Sequence, residues 1–215
     1  MNFYTQQHKQ YCGIDLPARA MYVCILDQSG TKLVHKNLPT TPEAFLRVIA
    51  PYREDVVVGV ECMFTWYWLA DLCSKEGIAF VLGHALSMQA IHGGKAKNDK
   101  IDAHKIAVLL RGGMLPQASV YPAELRATRD LLRRRCHLGQ KRAELLAHLQ
   151  HTTSQYHLPE IGKKLADKAK REGVEEHFPD PRVRKTIAVD ISLLDHSEQV
   201  LGEGELSIPR TAKAP

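Results

Sequence analysis

Four acidic residues stand at the edges of apolar runs in this chain of 215 residues. Asp15 lies in "YCGIDL", Glu61 closes "VVVGVE", and Asp99 and Asp102 sit three apart in "NDKIDAHKIAVLL". Each has an ordinary structural use. Asp15 could serve a turn. Glu61 could mark a surface strand end or a salt bridge, because an unpaired charge in a core costs several kcal/mol. The aspartate pair could cap a helix, with Asp99 at the cap and Asp102 three residues on, at the positive end of the helix dipole. One detail points further. At about 100° per residue, Asp102 shares a stripe with Ile106, Leu109 and Leu110, and so faces the sheet. Four carboxylates gathered at strand ends and a helix start would repel one another, and hard divalent cations are the usual compensation. Oxygen donors suit Mg²⁺ or Mn²⁺ better than zinc. Two such ions about 4 Å apart would serve phosphoryl transfer.

The elements that must position these acids follow from the pattern. "YCGIDL", "AMYVCILD" and "LVHKNL" are β-rich, and "QSGTK" is a turn signal between the last two, which predicts a three-stranded antiparallel meander over 10–38. "TTPEAFLRVIAPY" predicts a helix with Thr41 as cap and Pro42 in the first turn. "EDVVVGVEC" and "IAFVLG" read as strands buried on both faces, separated by a helix that Gly77 stops. A short helical stretch, the Gly- and Lys-rich loop "HGGKAKND" and a helix from Asp99 to Leu110 complete the order βββαβαβ-helix. That is the layout of the ribonuclease H-like fold, with a mixed five-stranded sheet and flanking helices. "RGGMLPQASVYP" reads as a linker, Ala123 to about Thr153 as one long helix, and 158–215 as two helical pieces split by "FPDPR".

The formal net charge is +5, and one segment accounts for all of it. Residues 111–150 carry eight Lys and Arg against three acids. Within it, Arg126, Arg129, Arg133, Arg134, His137 and Lys141 fall in an arc of about 140° on a helical wheel. Leu131, Leu138, Leu145 and Leu149 lie outside that arc at about heptad spacing, interrupted by Arg135 and Arg142. Such a face is either a solvated helix surface or a site for phosphates, and the concentration of charge favours a polyanion partner, most often nucleic acid; the leucine row offers a route to dimerisation. The five cysteines form no CxxC pair, which excludes a disulfide framework or zinc knuckle and fits a reducing cytoplasm. His148, His151 and His157 lack partners at ligand spacing, and Trp66, Tyr67 and Trp68 read as helix core and rim. No apolar run approaches the roughly 18 residues of a membrane span.

Together, "GIDLPARAMYVCILDQSG", "VVGVECMFTWYWLADLCSKEGI" and "KAKNDKIDAHKIAVLLRGG" resemble the insertion sequence 110 family of transposases and the related site-specific DNA invertases. "LRATRDLLRRRCHLGQKRAELLAHL" is similar to the long helix that follows in that family. The resemblance spans about residues 10–155. It implies a RuvC-like catalytic domain over 1–117 with an Asp-Glu-Asp-Asp tetrad at Asp15, Glu61, Asp99 and Asp102 as catalytic and metal-binding residues. It further implies Mg²⁺- or Mn²⁺-dependent DNA strand cleavage or transfer, a structured guide RNA and a homo-oligomer. A helical extension over 118–215 is expected to bind nucleic acid through Arg126, Arg129, Arg133, Arg134 and Lys141.

This chain departs from the family in two ways. Cys62-Met63-Phe64 stands where a small pair often follows the glutamate. The chain also ends at "RTAKAP", before the family's C-terminal domain with its serine, and Ser192, Ser197 and Ser207 sit in no matching motif. The expectation is therefore a chain truncated before that domain. Rival readings are a stand-alone RuvC-like nuclease or junction resolvase, a non-catalytic nucleic-acid-binding remnant, and an actin-like sugar kinase. The kinase would need small residues where "LPARA" follows Asp15.

Overall fold

The computed structural model describes residues 2–92, 98–159, 165 and 167–212, and the chain divides into two compact units, Met1–Tyr121 and Pro122–Pro215. Most of the "HGGKAKND" loop, residues 93–97, lies outside the described residues.

The first unit runs β1 (Phe3–Tyr4), β2 (Gln10–Asp15), β3 (Ala20–Asp27), β4 (Lys32–Pro39), α1 (Pro42–Ile49), β5 (Val56–Glu61), α2 (Tyr67–Lys75), β6 (Ala79–Gly83), α3 (Ala85–His92), α4 (Asp99–Arg111) and β7 (Leu115–Pro116). A five-stranded sheet has the order β4-β3-β2-β5-β6. β2, β3 and β4 form the antiparallel meander, and β5 and β6 run parallel to β2.

Period-two alternation sorts the strands onto two faces. Cys12, Ile14, Val56, Val58, Val60 and Leu82 point into one core with Phe45 and Ile49 of α1 and Leu69 and Cys73 of α2. Tyr11, Val57 and Val81 point the other way, onto Ile106, Leu109 and Leu110 of α4. Burial on both faces explains why β5 is apolar throughout. Thr41 caps α1, its Oγ1 accepting from the Ala44 N–H at 3.2 Å, and Gly77 leaves α2 with a left-handed φ of 66°.

The presumed linker is part of this unit. Leu115–Pro116 pairs antiparallel with Phe3–Tyr4, and Leu115 is fully buried. The Ala118 N–H donates to Leu82 O at 2.7 Å and the His84 N–H to Pro116 O at 2.8 Å, so residues 116–118 run alongside the end of β6. Two glycines and two prolines signal turns, yet two-residue strands carry no periodicity that would reveal them.

The second unit comprises α5 (Ala123–Gln155), 3-10 turns at Lys168–Lys170 and Val174–His177, and α6 (Pro181–Ala212). Of the two helical pieces expected over 158–215, only the second is a full helix among the described residues; the first contributes short turns. Asp180 starts α6, its Oδ1 accepting from the Arg182 N–H at 2.7 Å with Pro181 between them. Arg135 pairs with Glu205, Arg142 with Glu198 and His148 with Asp190, a descending register that makes α5 and α6 an antiparallel hairpin. The leucine row of α5 therefore has a partner within the chain. Leu145, Leu146 and Leu149 pack with Ile187, Ile191 and Leu194. Arg135 and Arg142, which interrupt the row, meet acids of α6. Arg171 is 2% exposed and clamps the hairpin, reaching Leu165 O, Asp195 and Glu198. Among the described residues, no helix is long and apolar enough to cross a membrane.

Candidate active site

Asp15 is the last residue of β2 and Glu61 the last of β5. These strands are parallel neighbours, with Gly13 opposite Gly59 and Ile14 opposite Val60. Asp15 and Glu61 therefore end side by side. Both continue the Tyr11–Gly13 and Val57–Gly59 alternation, so both project onto the α4 face.

α4 is set against this face by absent side chains. A β-carbon on Gly13 would lie 2.2 Å from Ala103 O and 2.4 Å from Ala107 N. One on Gly59 would meet Leu110 Cδ1 at 2.4 Å. The helix backbone thus rests directly on β2. Gly13 touches residues 103 and 107, and Tyr11 packs with Ile106, Leu109 and Leu110, so α4 runs antiparallel to β2. Its first turn, with Asp99 and Asp102, comes down beside Asp15. The ligand position general to open α/β sheets, at the carboxyl ends of the strands, is here the acidic one.

Capping falls to a different residue from the one expected. Asn98 is the cap, its Oδ1 accepting from the Ile101 N–H at 2.9 Å. Asp99 and Asp102 follow at the first and fourth helical positions, relieved of that duty. The electrostatics reports the convergence. The Asp15 carboxyl is pushed up to about 6, first by burial, then by the charges of Asp99, Asp102 and Glu61, against a bond from the Leu16 backbone. Lys105 Nζ lies 3.3 Å from Asp102 Oδ1 and offsets part of this negative charge. Among the described residues, no three His, Cys, Asp or Glu stand close enough to hold a metal ion. Asp99, Asp102 and Glu61 act on Asp15 through their field.

Other neighbours escaped the sequence reading. Tyr22 pairs with Asp15 across β2 and β3. Its ring meets His35 edge-on at 5.2 Å, and His35 lies 5.9 Å from His104 of α4. Burial, then Lys32 and His35, hold His104 below the usual imidazole range. The meander register, once known, would have placed Tyr22 beside Asp15.

In the second unit, Arg133, Arg134 and Lys141 are exposed and Arg129 is half-buried. Arg129 approaches Asp130 at 3.7 Å, and Lys141 pairs with Glu144 at 2.7 Å. Arg126 differs from the expectation of a solvent-facing cation: it is buried and its side chain is engaged. The wheel puts it on the basic arc, but its burial removes it from the phosphate-accessible face. His148, one of the three histidines weighed for zinc, gives its Nδ1 to Asp190 at 2.6 Å.

A mixed five-stranded sheet with four acids at its strand ends and first helical turn defines an α/β domain with an acidic site. The sequence profile of the family DEDD_Tnp_IS110, described as a transposase, matches residues 12–158, and the chain belongs to that family. The match takes in all four acids and α5. No curated protein matches the chain. Transposases are enzymes that act on DNA.

Proposed function

We propose that the chain cleaves or transfers a DNA strand with divalent cations held by Asp15, Glu61, Asp99 and Asp102, on a ribonuclease H-like sheet of the RuvC type. One observation carries this reading: two carboxylates end adjacent parallel strands on the α4 face, while the other two open α4 beside them and are spared capping by Asn98. The donor set is all oxygen, as Mg²⁺ or Mn²⁺ requires. Asp15, its pKa raised first by burial and then by the charges of Asp99, Asp102 and Glu61, is a group that a cation would relieve.

When bound, such ions supply Lewis-acid stabilisation of charge on phosphate oxygens. The chain's own residues do the rest. The ends of β2 and β5 fix Asp15 and Glu61, and the glycine-seated α4 fixes the height of Asp99 and Asp102. Lys105 holds the Asp102 carboxylate in place. Arg129, Arg133, Arg134 and Lys141 bind backbone phosphates. The family resemblance is the support for a structured guide RNA and a homo-oligomeric working form. Five free cysteines support a reducing cytoplasmic setting.

Calorimetric titration with Mn²⁺ tests the site. Asp15→Asn and Asp102→Asn should each weaken binding by at least about tenfold while the far-ultraviolet spectrum stays that of the parent. If both variants bind Mn²⁺ as the parent does, the acids are structural and the proposal fails.

A further inference from the structure

The loop that follows Glu61 presents an aromatic ring to solvent although the loop itself is tied down. The Cys62 N–H donates to Gly83 O at 2.8 Å and the Met63 N–H to Glu61 O at 2.8 Å. Thr65 Oγ1 donates to Leu16 O, next to Asp15. Trp66 is buried in the core and meets Tyr67 edge-on at 4.5 Å. Between these anchors Phe64 is 81% exposed, the most exposed large apolar side chain among the described residues. A mobile loop could hide such a ring by collapse, but this pinned one holds it out at a cost in hydration.

Phe64 also borders an open groove of about 560 Å³, lined by Ala18, Pro42, Phe64, Tyr67 and Trp68 among others, with no charged residue. The groove opens at the same end of the sheet as the acids but on the α1–α2 side, around the strand ends from the α4 face onto which the acids project. Arg19, exposed and next in the chain to the lining residue Ala18, adds a positive charge to the turn that forms one wall. Phe64 is three positions after Glu61, so at full extension their backbones are no more than about 11 Å apart. An apolar aromatic slot beside a cation, this close to phosphate-directed acids, matches a nucleotide: base in the slot, phosphate outside it.

We infer that Phe64, with Tyr67 and Trp68, stacks an unpaired nucleobase of the DNA strand held at the acids, one or two nucleotides from the phosphate there. The inference rests on the proposed function and adds what that reading lacks, a preference for DNA whose bases are unstacked at the cut. A stacked base is recognised by its face, so the slot accepts any sequence.

The full chain, a single-stranded oligothymidine probe and a blunt duplex of mixed sequence test this by fluorescence anisotropy. Phe64→Ala should weaken single-strand binding about 5- to 100-fold, the worth of one stacked base. It should leave duplex binding, the salt slope and the melting temperature unchanged. Phe64→Trp should restore binding, and its added emission should be quenched by the single strand. If the parent binds DNA and Phe64→Ala binds both probes equally well as the parent, the stacking inference is wrong and the proposed function stands. Equal weakening on both probes also overturns stacking. If Phe64→Ala changes only the sedimentation behaviour, the groove belongs to a second copy and the inference falls. If the parent binds neither probe, the proposed function fails and takes the inference with it.

Discussion

Replacing Gly13 by alanine adds one methyl group, and the structure says what it would strike. Its β-carbon would stand 2.2 Å from Ala103 O and 2.4 Å from Ala107 N, both backbone atoms of a regular helix. Neither can rotate away. Ordinary contact distance is regained only if α4 lifts by roughly 1 Å from β2, or if β2 bends by as much. Overpacking of this kind costs about 3 kcal/mol, the upper part of the usual range, because no side chain absorbs it. The lift also separates Asp99 and Asp102 from Asp15 and Glu61. A displacement of about 1 Å in a positioned constellation costs on the order of a hundredfold. Gly59→Ala is the internal control, because the three atoms nearest its β-carbon, Leu110 Cδ1 at 2.4 Å, Leu110 Cγ at 3.0 Å and Ile106 Cγ2 at 3.1 Å, belong to side chains, which can repack without lifting the helix backbone. It should cost about 1 kcal/mol. Urea denaturation measures the stability terms, and Mn²⁺ titration at a urea-free temperature where both variants are folded measures the second. Gly13→Ala should be the less stable of the two and should bind Mn²⁺ far more weakly. A Gly13→Ala protein that unfolds with Gly59→Ala and binds Mn²⁺ like the parent would refute the claim that direct backbone contact sets the height of the acids.

Three further outcomes are expected. Asp15 has a folded pKa of about 6 against an ordinary 3.8, so its contribution to stability is full below about pH 4 and is lost as the pH rises through 6. With solvent screening allowed for, the loss is about 1 kcal/mol; urea midpoints across this range should show it in the parent, and Asp15→Asn should flatten it. Arg171→Met removes the cation beside Asp195 and one of the two beside Glu198, which keeps Arg142, and should destabilise the second unit by about 2 kcal/mol, read from its denaturation midpoint, with Arg171→Lys unable to restore both contacts. Converting Arg133, Arg134 and Lys141 together to glutamine should reduce the slope of log K against log salt for duplex DNA by about 2.7, and an unchanged slope would show that these cations face only solvent.

Sequence periodicity carried the five strands and the three helices packed on them, because each buries a face whose repeat matches its own geometry. It also carried the inward aim of Asp102, since Ile106, Leu109 and Leu110 on the same stripe are buried. What escaped depended on pairings distant in sequence or on elements too short to repeat. β1 and β7 are two residues each. "KND" offers more than one cap candidate, and only the backbone geometry picks Asn98. Tyr22 comes beside Asp15 through strand register, and His35 meets Tyr22 and His104 across the same meander, which no local pattern states. Arg135 and Arg142 read as faults in a leucine row until Glu205 and Glu198, 70 and 56 residues onward, are seen across from them.

Those pairings also have a mechanical meaning. Residues 135, 142 and 148 of α5 stand opposite 205, 198 and 190 of α6, like rungs at intervals of about 10 Å on a ladder whose longer rail, of 33 residues, is about 50 Å. Each rung alone is weak. Sliding one rail by a single turn, however, would misalign every rung in the same movement, and would pull Arg171 from both of its acids besides. The hairpin therefore resists shear far more than it resists bending. A load applied at one tip would reach the other as a push along a rod, without slippage of one helix on its neighbour.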